Sequence, residues 1–164
     1  MVKLYFYKDD ENAIIPSKRM EDAGYDVYML KPGHSVEIKP GETKMLDTGL
    51  KASFPINFVL LGRERGSTGT KGLRFGAGVI DSGYRGRIMI PINNTSNKPI
   101  VFLDDEDFEK EKDRKDIIPY SQSKAIGQLL LVPVVHAEII EVNKKTYDTF
   151  TSERGEGMLG STKK

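Results

Sequence analysis

The sequence predicts a mainly β domain, and three observations carry that expectation. Its apolar segments are short, they draw on β-branched and aromatic residues, and Gly, Pro, Asn or Asp separates one from the next. At 164 residues the chain suits one compact unit with a real core, so a single domain over residues 1–164 is expected.

The first expected strand, residues 2–7, alternates loosely and ends in Tyr5-Phe6-Tyr7. Residues 25–30 and 35–38 follow, set off by glycine and proline. Lys39-Pro40-Gly41-Glu42 reads as a type II turn, because proline presets its second position and glycine accepts the positive φ of its third. Strands are then expected over 44–53, 58–63 and 74–80, the last closing at Asp81, and over 87–93, 100–103 and 126–141. Residues 104–116 break the pattern, being charged throughout except for Phe108. They are read as part of an insertion over about 104–122. Glu109 and Asp113, or Lys110 and Arg114, stand at helical spacing, so a short solvated helix and disorder are both open. The tail, 151–164, is rich in glycine and small polar residues and lacks a core-facing stripe, which predicts an arm that is mobile until something binds it.

Composition excludes several chemistries. With no cysteine there are no disulfides, thiolate metal sites or cysteine nucleophiles, and a reducing cytoplasm is allowed. The two histidines, His34 and His136, lie in ordinary strand or turn surroundings and read as surface or half-buried residues rather than ligands. A net charge of +1 disfavours broad nucleic-acid binding, so any phosphate recognition is expected to be local. No run approaches the roughly 18 apolar residues of a membrane span, and the N-terminus does not resemble a signal peptide. The expected location is the cytoplasm, with no membrane partner.

The chemistry collects in glycine-rich segments. In Gly78-Val79-Ile80-Asp81-Ser82-Gly83-Tyr84-Arg85-Gly86-Arg87 a carboxylate closes an apolar run and is followed by a glycine-rich turn, with the flat face of Tyr84 close by. An ordinary hairpin with an exposed Asp fits the same pattern. Four further segments are Ala23-Gly24-Tyr25-Asp26, 65–72 (from Arg65-Gly66-Ser67 to Lys71-Gly72), Gly127-Gln128-Leu129, and 154–162 (from Arg154 through Leu159-Gly160-Ser161 to Thr162). Glycine lets a backbone approach a ligand, and successive N–H groups form an anion-binding concavity. Arg65 and Arg154 add charge-assisted bonds, and Ser67, Ser161 and Thr162 add hydroxyl donors, an inventory that suits a polyphosphate. The 65–72 segment is not a Walker loop, since no Ser or Thr follows Lys71. A generic loop and a plain flexible tail are the bland readings of the second and last of these segments.

In this order and spacing, the five segments resemble the five motifs of the homotrimeric dUTPase family, over 23–162. The resemblance implies a jelly-roll β-barrel, a homotrimer whose sites draw on more than one subunit, and a C-terminal arm that closes over the nucleotide. It implies hydrolysis of dUTP to dUMP and pyrophosphate with Mg2+ held by the triphosphate, which limits uracil incorporation into DNA and supplies dUMP. It assigns to Asp81 a contact with the deoxyribose 3′-hydroxyl and the orienting or deprotonation of the water that attacks the α-phosphorus. Tyr84 lies against the deoxyribose, while Gly78, Val79 and Ile80 through Met89 read uracil. Arg65, Gly66, Ser67 and Gln128 hold the α- and β-phosphates. Arg154, Gly160 and Ser161 hold the γ-phosphate, and Asp26 holds the magnesium through water.

The chain departs from the family pattern in three places. Gly66 stands between Arg65 and Ser67, where the family has serine directly after arginine. Leu159 replaces the phenylalanine that stacks on uracil, and Ser121-Gln122-Ser123-Lys124 replaces Gly-Asp before the fourth motif. The charged segment lies where some phage-type members carry extra sequence, which implies a phage or prophage type and a regulatory protein contact through 104–122. Two rivals remain at this stage. A related dCTP deaminase needs a glutamate where Pro91 stands, and a nucleotide-gated regulatory binding protein would use the same site without needing Asp81 for water.

Overall fold

The computed structural model describes residues 2–157. Among them the chain forms β1 (Tyr5–Lys8), β2 (Tyr25–Val27), β3 (Val36–Ile38), β4 (Thr43–Asp47), β5 (Leu50–Ser53) and β6 (Phe58–Arg63). The short helix α1 (Gly66–Gly69) leads to β7 (Leu73–Phe75), β8 (Val79–Ile80), β9 (Met89–Asn94) and β10 (Ile100–Leu103). Helix α2 (Asp105–Glu111), β11 (Ile118–Ser121), β12 (Gly127–Pro133) and α3 (Lys144–Tyr147) complete the order. The strands make four small sheets, β1-β5, β11-β10-β3, β2-β12-β6-β8 and β4-β9-β7. Every pairing is antiparallel except β10 with β11.

Short strands hold together here because their alternate side chains share one core. Val27, Ile38, Leu60, Leu73, Ile92, Ile100, Phe102 and Leu129 are fully buried and come from all the sheets but β1-β5, which adds Leu50 and Ala52. Each such side chain contributes about 1.5–3 kcal/mol when removed from water. Asn94 is buried among them and fully used: its amide donates to the Ile38 and Lys98 carbonyls, both at 2.8 Å, and its oxygen receives the Ser96 N–H at 2.9 Å. That bonding closes the turn between β9 and β10.

The type II turn forms as expected, with Gly41 at φ 76° and the Glu42 N–H on the Lys39 carbonyl at 2.9 Å. Four expectations need correction. The run 44–53 divides into β4 and β5 at Gly49, whose φ of 67° no strand residue adopts. The run 74–80 divides at Gly76-Ala77-Gly78, so that β7 and β8 join different sheets. The run 126–141 ends at Pro133, and Ile139 and Ile140 beyond it are exposed. Its apolar, β-branched residues have no partner strand within the described chain, and a strand exists only through its pairing. Finally, residues 118–121 form a strand that was not expected.

Between helix and disorder, the charged segment takes the helix. Asp104 accepts the Asp107 N–H at 2.8 Å as N-cap, and Asp105, Glu106 and Asp107 occupy the first turn, where the helix dipole favours anions. The Asp105 carboxylate docks the helix by accepting from Ser121 Oγ at 2.8 Å and Ser123 Oγ at 2.6 Å. Those two hydroxyls, with Lys31 nearby, hold its pKa below the ordinary value.

Candidate functional site

Strand β8 delivers Asp81. Its Val79 and Ile80 pair with Leu61 and Leu60 of β6, and the Tyr84 N–H closes a turn onto the Asp81 carbonyl at 3.0 Å. Gly78 has to be glycine for this pairing, because a Cβ there would lie 2.6 Å from the Gly62 carbonyl oxygen. Tyr84 donates its hydroxyl to the Arg87 carbonyl at 2.8 Å and covers Gly86, where a Cβ would stand 2.4 Å from the phenol oxygen. Asp81, Tyr84, Val79, Ile80 and Met89 thus line one cleft of ≈ 290 Å³, together with Met45, Arg87 and Ile88. The size suits a nucleoside. Val79 and Tyr84 are 69% and 47% exposed, an uncovered apolar wall that a flat base and sugar can occupy.

A second cluster forms at the other end of the same sheet. Register places Asp26 of β2 opposite Gln128 of β12, and Gln128 opposite Arg63 of β6. Just beyond β6, Arg65 Nε meets Asp26 Oδ1 at 3.0 Å, with both side chains about one-third exposed. Gln128 donates to the Glu64 carbonyl at 2.9 Å, and a Cβ at Gly24 would strike its amide oxygen at 2.2 Å, so the glycine of the Ala23–Asp26 segment makes room for Gln128. The buried Thr68 hydroxyl accepts the Arg65 N–H at 2.9 Å and fixes the entry to α1, whose Gly66 and exposed Ser67 follow.

Beside these, Glu64, Arg65, Gly66, Gly69, Thr70 and Arg74 line an open cleft. Glu64 sits below its ordinary pKa: burial works upward, but the Phe75 N–H at 3.0 Å, its own N–H, and the nearby Arg74 and Arg63 outweigh it. Burial raises the phenol of Tyr120 against the opposing pull of Arg65. Burial and the neighbouring Lys124 lower Lys71, whose Nζ lies 5.1 Å from the Tyr120 ring centroid.

The expected residues therefore fall into two groups within the chain. Ile80 pairs with Leu60 and Gln128 with Arg63, so Asp81 and the Asp26–Arg65 pair are roughly 13 Å apart along β6, at about 3.3 Å per residue. Arg154 lies in the exposed stretch after α3 and donates from Nε to the Gly157 carbonyl at 2.8 Å. Leu159, Gly160 and Ser161 lie outside the described residues. Among the described residues no three His, Cys, Asp or Glu side chains cluster as a metal cage. Asp26, about one-third exposed, is a carboxylate of the kind that can bond the waters of a hydrated cation. Sequence reasoning gave no role to Met45, Arg74 or Arg87; Arg87 stood inside the quoted motif, but Met45 lies on β4 with nothing local to mark it.

Fold and clefts together define a mainly β domain with a nucleoside-sized cleft and a separate polar cluster built on the Asp26–Arg65 pair. The dUTPase family model matches residues 10–105. The deoxyuridine 5'-triphosphate nucleotidohydrolase of Nautilia profundicola is 37% identical, over 99% of this chain and 100% of its own. The dUTPase of Staphylococcus bacteriophage 80alpha, solved with dUPNHPP and described as controlling transfer of virulence genes by a G protein-like mechanism, superposes with a TM-score of 0.75 at 26% identity, over 98% of each chain. The dUTPase of phage phi11 of S. aureus, in which a structural Mg(II) ion is coordinated, shares the fold with a TM-score of 0.67 at 24% identity, over 87% of this chain and 97% of its own. This chain belongs to the dUTPase family.

Proposed function

We propose that this protein hydrolyses dUTP to dUMP and pyrophosphate. The carrying observation is the cleft that brings Asp81, Tyr84, Val79, Ile80 and Met89 together. In this reading the Asp81 carboxylate accepts a hydrogen bond from a water, whose oxygen attacks the α-phosphorus. The bond from that phosphorus to the bridging oxygen breaks, pyrophosphate leaves with the bonding pair, and Asp81 takes the proton. Tyr84 fills the space that a 2′-hydroxyl would need. Gly78 and the neighbouring strand residues present backbone groups to uracil and leave no room for a thymine methyl.

Arg65, Gly66, Ser67 and Gln128 receive the α- and β-phosphates, and Arg154, Gly160 and Ser161 the γ-phosphate. Arg65 is pre-aligned by its ion pair with Asp26, which would also hold, through water, the Mg2+ that the substrate triphosphate brings. That cation neutralises charge developing on the phosphoryl oxygens. Magnesium-dependent pyrophosphate release from dUTP, against dCTP, dTTP and UTP, tests the reading; ammonia released from dCTP would turn it to the deaminase. Pro91, buried on β9 where that chemistry needs a titratable group, speaks against deamination.

The separation of the two clusters fits a site shared between copies. Val135, Ile139, Ile140, Tyr147 and Phe150 are all at least 66% exposed, apolar surface of the kind a homotrimer covers. Sedimentation at concentrations around the working range reads the assembly. Leu159 offers uracil an aliphatic contact in place of a stack worth about 1–3 kcal/mol per base in single-strand binders. Leu159→Phe is accordingly expected to lower the Michaelis constant for dUTP, and an unchanged constant removes the idea.

Helix α2 favours a second, added role. It is a charged, exposed element placed on β11 through Asp105, and Tyr120 of β11 is buried close to Arg65. A regulatory protein contact through 104–122, gated by nucleotide, is the function we assign to it, by analogy with the 80alpha enzyme. Binding of a non-hydrolysable dUTP analogue is expected to change amide hydrogen exchange in residues 105–115. Identical exchange with and without the analogue excludes gating. A cytoplasmic site of action follows from the same reading, and no direct contact with nucleic acid is required by it.

A further inference from the structure

Arg87 lines the Asp81 cleft, yet the nucleotide chemistry there asks for no cation. Its guanidinium is committed elsewhere. Nε donates to Asp9 Oδ2 at 2.8 Å, Nη1 to Asp47 Oδ2 at 2.7 Å, and Nη2 to the Asp9 carbonyl at 3.3 Å. Both acceptors are themselves tied down. Lys51 Nζ reaches Asp9 Oδ1 at 2.6 Å, the Asp9 N–H bonds the Gly49 carbonyl at 2.9 Å, and Asp47 Oδ1 takes the Gly49 N–H at 2.8 Å. Lys51 and Arg87 hold the Asp9 carboxyl below its ordinary pKa, so both partners stay charged at neutral pH. A planar donor fork held at three acceptors fixes direction as well as distance. Because the pairs are partly solvated, that direction matters more than their strength.

The other side of Arg87 faces the site. Its carbonyl receives the Tyr84 hydroxyl at 2.8 Å, and the ring lies over Gly86. Among the described residues, the hydrogen bonds of residues 82–86 close within the connection between β8 and β9: Tyr84 N–H to Asp81, Arg85 to Ser82 and Tyr84, and the Tyr84 hydroxyl to Arg87. The C-terminal end of this connection is moored by Arg87 and by Ile88, whose N–H bonds the Leu50 carbonyl at 2.8 Å. Where Tyr84 stands therefore depends on where Arg87 is held.

We propose that Arg87 is a positioning residue that sets discrimination between deoxyribo- and ribonucleotides: clamped by Asp9 and Asp47, it holds Tyr84 against the sugar without touching the nucleotide. The proposal rests on the dUTPase reading and deepens it. A clamp that slackens lets the ring drift from the 2′ position, which admits UTP while loosening the fit to dUTP; a misplacement of about 1 Å is enough to change rates by about 100-fold.

The test is kcat/KM for dUTP and for UTP in wild type, Arg87→Met, Arg87→Lys, Asp47→Asn, Tyr84→Phe and the Arg87→Met/Tyr84→Phe double variant. Arg87→Met is expected to cut the dUTP-to-UTP ratio about tenfold, with Arg87→Lys between it and wild type because one ammonium satisfies one carboxylate. In the Tyr84→Phe background, which already lacks the tether, Arg87→Met should change the ratio by less than about threefold. Asp47→Asn keeps the Gly49 acceptor but turns an amide N–H2 toward Arg87 in place of the accepting Oδ2, so it breaks that arm of the clamp and carries the test should Arg87→Met not fold; it should lower the ratio in the same direction.

An unchanged ratio in folded variants, an equal loss for both nucleotides, or a full tenfold effect in the Tyr84→Phe background overturns the proposal. A wild type that does not cleave dUTP defeats the parent reading instead. The dissociation constants of dUTP and UTP across the same variants then read the same ratio, and with it the positioning role.

Discussion

Asp81→Asn is expected to lower kcat for dUTP by about 10²–10⁴-fold, the usual contribution of a positioned general base, while leaving the fold and nucleotide affinity near wild type. The structure explains why the effect should be confined to chemistry. The turn that presents Asp81 is closed by its backbone carbonyl and the Tyr84 N–H, and β8 is held to β6 by backbone pairing, so neither bond involves the carboxylate. Asparagine keeps shape and size but cannot take the proton of the attacking water. Pyrophosphate release under saturating dUTP and magnesium, alongside thermal unfolding and binding of a non-hydrolysable analogue, separates these quantities. A variant that keeps more than about a tenth of the wild-type rate would falsify the assignment of Asp81 as base, given the magnitude such groups ordinarily supply. Lost binding at full stability would instead show that the carboxylate holds the sugar.

The parts of this site that lie close together in sequence were legible before folding; the parts assembled across the chain were not. Asp81, Tyr84, Val79, Ile80 and Met89 fall within the short stretch 79–89, and they do line one cleft. The clamp on Arg87 joins residues 78 and 40 positions apart, and no local pattern announces such pairs. Met45 enters the same cleft only because β4 pairs with β9, setting Met45 opposite Pro91. The fold behaved likewise. The type II turn at Gly41 was readable because its chemistry is local, whereas β11 was missed because its strand depends on parallel pairing with β10 and begins beside a charged stretch. The run beyond Pro133 reads as strand from its β-branched composition, and composition says nothing about whether an edge is available to pair with. Helix α2, left open between order and disorder, was decided by a cap and by two hydroxyls reaching Asp105 from β11.

Gly127→Ala should damage the fold strongly for a single added methyl. Its Cβ would come within 2.2 Å of Phe75 Cζ and within 2.9 Å of the Arg63 carbonyl oxygen, so displacement of the ring alone does not relieve it. Phe75 cannot easily retreat, because its other edge lies against Gly62, where a Cβ would sit 2.9 Å from Cδ1 and Cε1. The ring therefore lies over a path of two glycines, one on β6 and one on β12, and those strands carry the longest register in the protein.

Overpacking of this kind costs about 1–3 kcal/mol, more where backbone must move. At about 2–4 °C per kcal/mol for a chain of this size, the melting temperature should fall by roughly 2–12 °C. Function should fall with it. The next residue, Gln128, faces Asp26 and bonds the Glu64 carbonyl, and Phe75 leads through Gly76 and Gly78 into β8, which Asp81 follows. A smaller side chain at 75 frees space for the methyl, so Gly127→Ala/Phe75→Leu is expected to recover part of the lost melting temperature relative to Gly127→Ala. Equal melting of Gly127→Ala and wild type would mean that the ring does not occupy that path, and the contact joining the phosphate cluster to the Asp81 strand would have to be sought elsewhere.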